Sequence, residues 1–389
     1  LKFIIRNYNV VFVSNVYKYS FLVLIFQFGL LFLPRMKKSE YHVIGVMSGT
    51  SLDGVDLVQV KFHFKDAWRF EIIHAETISY TKKWHDILKG LVSCSLEELQ
   101  EIDNEYTKYI AGIIKDFISR NDIVNIDAVC SHGHTALHQP EKMLTYQIGN
   151  KPFLVNHLNE AVVCDFRIQD VELGGQGAPL VPIGDKLLFS EYDFCLNLGG
   201  FANISMDLND ERIAYDICPV NIVLNYYVNK LGFNYDDKGK IAASGNLNSK
   251  LLDELNGLSF YSTSYPKSLG LEWVNNTVFP LIDSYKLEIK AVLNTCVEHM
   301  AIQIASEINK KNKATVLVTG GGAYNLYLID RIKSLTKNAI IVPSKTILEF
   351  KEALIFGFLG VLKLRDEANC LKSVTGASKN HSSGRIFLP

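Results

Sequence analysis

The sequence predicts an α/β protein of two domains with a cleft between them. Three observations lead there. Apolar runs of strand length alternate with runs at helical spacing along the chain. Two strand runs, one in each half, end in glycine-centred turns with small polar residues, Ser48 to Gly54 and Gly199 to Asn203. A third glycine cluster, Gly320-Gly321-Gly322, follows a buried strand. A chain of 389 residues is long enough for two domains with cores of their own.

The elements follow in order. Tyr41 to Tyr80 reads as consecutive antiparallel strands, the first (His42 to Met47) entering the turn and the next (Val55 to Phe62) leaving it. Leu96 to Arg120 carries Leu99, Ile102, Tyr106, Ile110, Ile113, Ile114 and Phe117 at helical spacing and predicts an amphipathic helix. Ile126 to Ser131 is a short buried strand ending in Ser131-His132-Gly133-His134, and Leu144 to Ile148 and Ala161 to Cys164 are further strands. Asp165 to Pro182 reads as a loop rich in Gly and Pro, and a domain boundary is placed there. The first domain is residues 36–165, joined by the tail 371–389, and the second is 166–370.

In the second half, Phe194 to Leu198 runs into Gly199-Gly200, then Ala202 to Met206 and Ile213 to Tyr215 follow. Pro219 to Leu231 reads as a helix with Pro in its first turn. A long helix covers Leu287 to Lys310, Thr315 to Thr319 is a buried strand, a helix starts at Ala323, and Glu349 to Asp366 is the last.

The first turn carries the most chemistry. Gly49, Thr50, Ser51, Leu52, Asp53, Gly54, Val55 and Asp56 supply free backbone N–H groups, two hydroxyls and carboxylates. Those parts cradle polyphosphate and hold its magnesium, with Asp53 the candidate ligand. The same composition also suits a plain β-hairpin turn. No Gly-Lys-Ser/Thr follows, so it is not a Walker loop. Two such hairpins facing each other, with Gly199, Gly200 and Asn203 in the second, would grip a nucleotide's phosphates; Gly320, Gly321, Gly322 and Asn325 would lie under its adenosine. That arrangement is similar to the actin, hexokinase and Hsp70 type of ATPase fold.

Composition narrows the function classes. A formal net charge of -1 gives no electrostatic reason to expect nucleic acid as a partner. Seven scattered cysteines without a Cys-x-x-Cys fit a reducing cytoplasm and argue against a disulfide framework. Leu1 to Arg35 is apolar with Lys2, Arg6 and Lys18 ahead of Phe21 to Pro34. We read it as a non-native extension ahead of Met36; a membrane anchor or export signal is the alternative. No stable membrane association is expected, and a homodimer is left open.

At the level of whole motifs the chain resembles the anhydro-N-acetylmuramic acid kinases. The matching segments are Ile44 to Asp56, Ser131 to Thr135, Asp165-Phe166-Arg167 through Asp170, Gly174 to Pro182, Leu196 to Ser205, Gly320 to Asn325 and Ser373 to Ser378, in family order. The resemblance implies a cytoplasmic enzyme of peptidoglycan recycling. It would open the 1,6-anhydro bridge of anhydro-N-acetylmuramate with water and phosphorylate O6, using ATP and Mg2+. It also implies that Asp216 is the general base, in a segment Ala214-Tyr215-Asp216-Ile217-Cys218-Pro219-Val220-Asn221 where Ala214, Cys218 and Val220 replace family glycines. Asp216 reads equally as an N-cap for the helix near Pro219. His132, His134 and Thr135 would make polar contacts to the sugar; His-x-His alone lacks a third zinc ligand nearby. Arg167 would take the lactyl carboxylate and Glu352 the hydroxyls. Competing readings are a kinase for another sugar and a catalytically weak binding homologue.

Overall fold

The computed structural model describes residues 37–49 and 51–389; the expectations for residues 1–35 and for Thr50 lie outside them. The first sheet begins with a meander. β1 (Glu40–Ser48) pairs antiparallel with β2 (Gly54–Phe64), and β2 with β3 (Trp68–Ser79). β4 (Ala128–Gln139) then lies parallel to β1, and β6 (Val162–Cys164) parallel to β4. β5 (Leu144–Ile148) pairs with β4, and β12 (Arg385–Phe387), from the C-terminal tail, closes the edge on β6.

The second sheet repeats this plan. β7 (Phe194–Leu198), β8 (Phe201–Leu208) and β9 (Glu211–Pro219) form an antiparallel meander. β10 (Thr315–Thr319) runs parallel to β7, and β11 (Ala339–Ile341) parallel to β10. Both sheets therefore read third, second, first, then two parallel strands. The equivalence reaches single residues. Asp56 is the third residue of β2 and stands opposite Thr77 of β3. Asn203 is the third residue of β8 and stands opposite Asp216 of β9. The chain thus holds one α/β plan twice.

Six helices carry the cleft residues or back the sheets beneath them. α1 (Leu96–Arg120) fills the span its spacing predicts, because Ser95 and Glu98 form a reciprocal capping box that fixes its start. α2 (Ile168–Glu172) lies inside the segment expected to be loop. α3 (Asn221–Asn229) starts later than expected, because Pro219 ends β9 instead of opening the helix. α4 (Ile289–Ile308), α5 (Leu326–Ser334) and α6 (Lys345–Leu364) complete the set.

Strand alternation explains the layering. Val43 and Met47 of β1 face the core that contains α6, whereas Ile44 and Val46 face the core that contains α1. In the second sheet Leu196, Leu198, Val316 and Val318 pack with α4, while Cys195 and Leu317 join the core of α6. Helix α6, predicted in the second domain, thus packs on β1, β2 and β4 of the first sheet and forms a wedge between the two sheets. Gly45 permits this approach: a Cβ there would run into the Ala353 carbonyl of α6. Ser39–Pro389 forms one compact unit. Among the described residues no helix is long and apolar enough to cross a membrane.

Candidate active site

The glycine turns all lie at the carboxyl ends of parallel strands, where ligands of open α/β sheets bind. In the first hairpin Ser51 donates its hydroxyl to Asp53 Oδ1 at 2.7 Å, and Leu52 takes a positive φ of 61°. Asp53 is exposed. Asp56 is partly buried and accepts from Thr77 Oγ1 at 2.5 Å. Burial, then the charges of Asp53, Glu352 and Glu349, push its carboxyl up to about 6. Asp53, Glu349 and Glu352 thus lie near enough for their charge to be felt at Asp56.

Glu352 reaches this cluster from α6. Its side chain is open to solvent, yet desolvation by the walls around it raises its pKa, with Arg167 pulling the other way. That combination marks the floor of a cleft. Phe356 lies one turn along α6, and the Arg167 guanidinium sits 5.9 Å from its ring centre. Arg167 Nε donates to His132 Nε2 at 2.8 Å, and Nη1 donates to the Gly177 carbonyl at 2.7 Å. Two bonds and an aromatic face thus fix the guanidinium, and among the described residues Nη2 has no hydrogen-bond partner in the protein.

The two histidines do not share a face, contrary to strict strand alternation. His132 stacks on Phe356 at 4.5 Å on the α6 side. His134 turns to the α1 side, where Nδ1 meets Ser48 Oγ at 2.8 Å and the ring packs on Tyr106. The cause is Gly133, whose φ of 72° interrupts the alternation where the β1–β4 register also shifts. Burial lowers both histidines, His134 to about 4, so both stay neutral at neutral pH. Ser48, Tyr80, Tyr106 and His134 form one hydroxyl network behind the first turn. His132 thus orients Arg167 and His134 braces the hairpin, so the two rings serve different faces. Thr135, half-buried on β4, stands opposite Gln147 of β5.

In the second half, Gly199 and Gly200 accept from the backbone N–H groups of Asn221, Val220 and Ile222, tying the turn to the start of α3. A Cβ on Gly200 would meet open space. Gly320 has a φ of 83°, and a Cβ there would sit 2.6 Å from Asn197 Oδ1 and 2.8 Å from the Leu198 carbonyl. Gly322 is likewise pressed against Leu198, while Gly321 is exposed. The cluster therefore combines two packing glycines with one that borders the cleft. Asn325 is buried, and its Oδ1 caps α5 by accepting from Leu328 N at 3.0 Å. The two halves meet where Tyr324, beside this turn, donates its hydroxyl to Glu349 of α6 at 2.7 Å.

Asp216 lies on β9, facing the hairpin residue Asn203 across the ladder. It is not a helix cap: α3 starts after Val220, with no side-chain cap. Instead Asp216 Oδ2 accepts from Leu269 N at 2.8 Å. Burial raises its carboxyl, and the Leu269 bond opposes that. A carboxylate held by one amide and poised upward in pKa is equipped to take a proton. Leu269 left no trace in the sequence, since the contact is made by its backbone. Glu349 and Tyr324 were also missed; only their nearness to Glu352 and the glycine cluster hinted at them.

The model of the family described as Anhydro-N-acetylmuramic acid kinase matches residues 41–389. The chain belongs to that family. The anhydro-N-acetylmuramic acid kinase of Sulfurimonas denitrificans is 33% identical over 371 residues, spanning 90% of this chain and 100% of the relative. Those of Pseudomonas syringae pv. syringae and Haemophilus influenzae are each 32% identical, spanning 90% of this chain and 99% and 98% of theirs. A kinase of this family is a phosphotransferase.

None of Ala214, Cys218 and Val220, where the resemblance implies family glycines, takes a positive φ. Cys218 and Val220 are fully buried in the core with α4 and add volume there instead of narrowing the cleft.

Proposed function

We propose that this chain phosphorylates O6 of 1,6-anhydro-N-acetylmuramic acid with ATP while water opens the anhydro bridge, giving N-acetylmuramic acid 6-phosphate. The observation that carries this reading is Asp216: a partly buried carboxylate with raised pKa, held by Leu269 N, on the ladder rung beside the second glycine turn.

The chemistry needs only one base. Asp216 takes a proton from water as the oxygen attacks C1. The C1–O6 bond breaks, and O6 bonds to the γ-phosphorus while the bond to the ADP oxygen breaks. A phosphoryl group thus replaces the proton that an inverting glycosidase must supply to its leaving oxygen. The amides of the turns around Gly49, Ser51 to Gly54, Gly199 and Gly200 would face the phosphates. Asp53 and Asp56 would hold Mg2+, which supplies charge neutralisation on the phosphates when bound. Arg167 offers its unpaired edge to the lactyl carboxylate, and Glu352 beside it accepts from sugar hydroxyls.

We read the reaction as part of cell-wall sugar recycling in the cytoplasm, where ATP is available. We divide the chain into two lobes along its two sheets, with α6 between them as the pivot.

Oxygen-18 water tests the proposal. The label is expected on C1 of the sugar phosphate, read by mass spectrometry before the hemiacetal exchanges, and absent from the 6-phosphate. Label in free phosphate would mean ATP hydrolysis alone. An unlabelled sugar phosphate would mean a kinase for a sugar that already carries a free hydroxyl.

A further inference from the structure

We propose a structural zinc-type site formed by Asp170, Cys370 and His381, where the C-terminal tail meets the glycine-rich loop that carries Arg167. One ligand atom from each residue lies within 4.8 Å of the others, and all three residues are buried. Cys370 and His381 are directly opposed in an antiparallel bridge, each backbone N–H bonded to the other's carbonyl. That pairing brings their side chains together on one side.

The histidine supplies the second, independent observation. Its Nδ1 lies 3.1 Å from the Lys379 carbonyl, so Nδ1 carries the proton. Nε2 then presents a lone pair. It is buried, has no hydrogen-bond partner, and points toward Asp170 Oδ1 at 3.5 Å. His381 is 6% exposed, so no bulk solvent satisfies that nitrogen. A backbone carbonyl fixing one ring nitrogen so that the other faces a cation is the usual outer-shell arrangement of metal-ligating histidine. Asp170 is oriented in the same way, its oxygens accepting from Thr375 Oγ1 and Gly177 N, both at 2.7 Å. An imidazole, a thiolate and a carboxylate together balance a divalent charge, and this donor set with a water as fourth ligand suits zinc.

The site would clamp the tail to the loop. Gly177 donates to Asp170 and accepts from Arg167, so the clamp is two bonds from the cleft. It is separate from the carboxylates beside the first turn.

The test uses the full chain, purified without chelator. Elemental analysis is expected to give one zinc per chain, and Cys370→Ser and His381→Asn are each expected to lose it while keeping the wild-type circular dichroism spectrum. Cobalt reloaded into the stripped protein is expected to show a thiolate charge-transfer band that Cys370→Ser lacks. A chelator is expected to lower the melting temperature of the wild type and leave both variants unchanged. If the wild type binds no more zinc or cobalt than the variants, the proposal is overturned and the three side chains are a packing contact only. None of these readouts depends on kinase activity, so failure here leaves the proposed reaction untouched, and the reverse.

Discussion

Arg167 donates to His132 at 2.8 Å, so the guanidinium of the cleft is oriented by a neutral ring instead of a carboxylate. Its charge is left for a ligand, with Glu352 the acid whose charge acts on it most. A lysine cannot keep both planar bonds and present a fork. Arg167→Lys is therefore expected to raise KM for the anhydro sugar about tenfold or more while KM for ATP holds, since about 1.4 kcal/mol of binding corresponds to a factor of ten. Equal KM for the sugar in variant and wild type would remove Arg167 from sugar binding.

Asp216→Asn is expected to cut turnover by about 10²–10⁴-fold with ATP affinity nearly unchanged. The acid limb of the wild-type profile should lie above the ordinary carboxylate range, because burial raises this group and the base works only when ionised. Activity should fall as pH drops through that limb. A variant that keeps more than about a tenth of wild-type turnover would show that the base is elsewhere.

Asp53→Asn is expected to shift the magnesium titration of activity to higher concentration and to spare sugar affinity. Asp53 is exposed at the turn, with one oxygen engaged by Ser51. Superimposable magnesium curves would end its assignment as the metal ligand.

Asp56 gives a stability prediction with a definite sign. Its folded pKa of about 6 exceeds the unfolded value of 3.8, so the native state binds the proton more tightly. Stability is lost as pH rises between those values. Asp56→Asn is expected to be more stable than wild type at pH about 8, by on the order of 1–3 kcal/mol, and to converge with it at low pH. Magnesium should narrow the gap by favouring the ionised carboxylate. Parallel melting curves against pH would contradict the crowding of acids at this turn.

The glycine cluster separates packing from binding. Gly320→Ala strains a positive φ and collides with Asn197 and the Leu198 carbonyl, so a loss of on the order of 1–3 kcal/mol in stability is expected. Gly321→Ala should melt with the wild type and bind ATP more weakly. Calorimetric melts and nucleotide titrations of the pair check this, and a Gly320→Ala protein of unchanged melting temperature would refute it.

Much of this was legible in the sequence. α1, β5, β7 and β10 match their predicted spans, because a capping box, turn residues and clean apolar runs fix their ends locally. The glycine turns stood out because anion cradles require small residues, and Asp216 stood out only through the family motif it sits in. The face of His134 was not legible, since it depends on one positive φ at Gly133 and a register shift. The Leu269 amide beside Asp216 was hidden because backbone contacts leave no residue signature. The packing of α6 was not legible for a physical reason: a helix apolar on most faces fits any core, and tertiary packing alone decides that it lies between two sheets.

The repeated sheet puts one rung in the molecule twice. In the first half it holds aspartate against threonine, in the second asparagine against aspartate. Each half therefore carries a single acid there, on a different strand. On the reading proposed above, the acid of one half would handle phosphate and that of the other water, so neither half alone has the means for both.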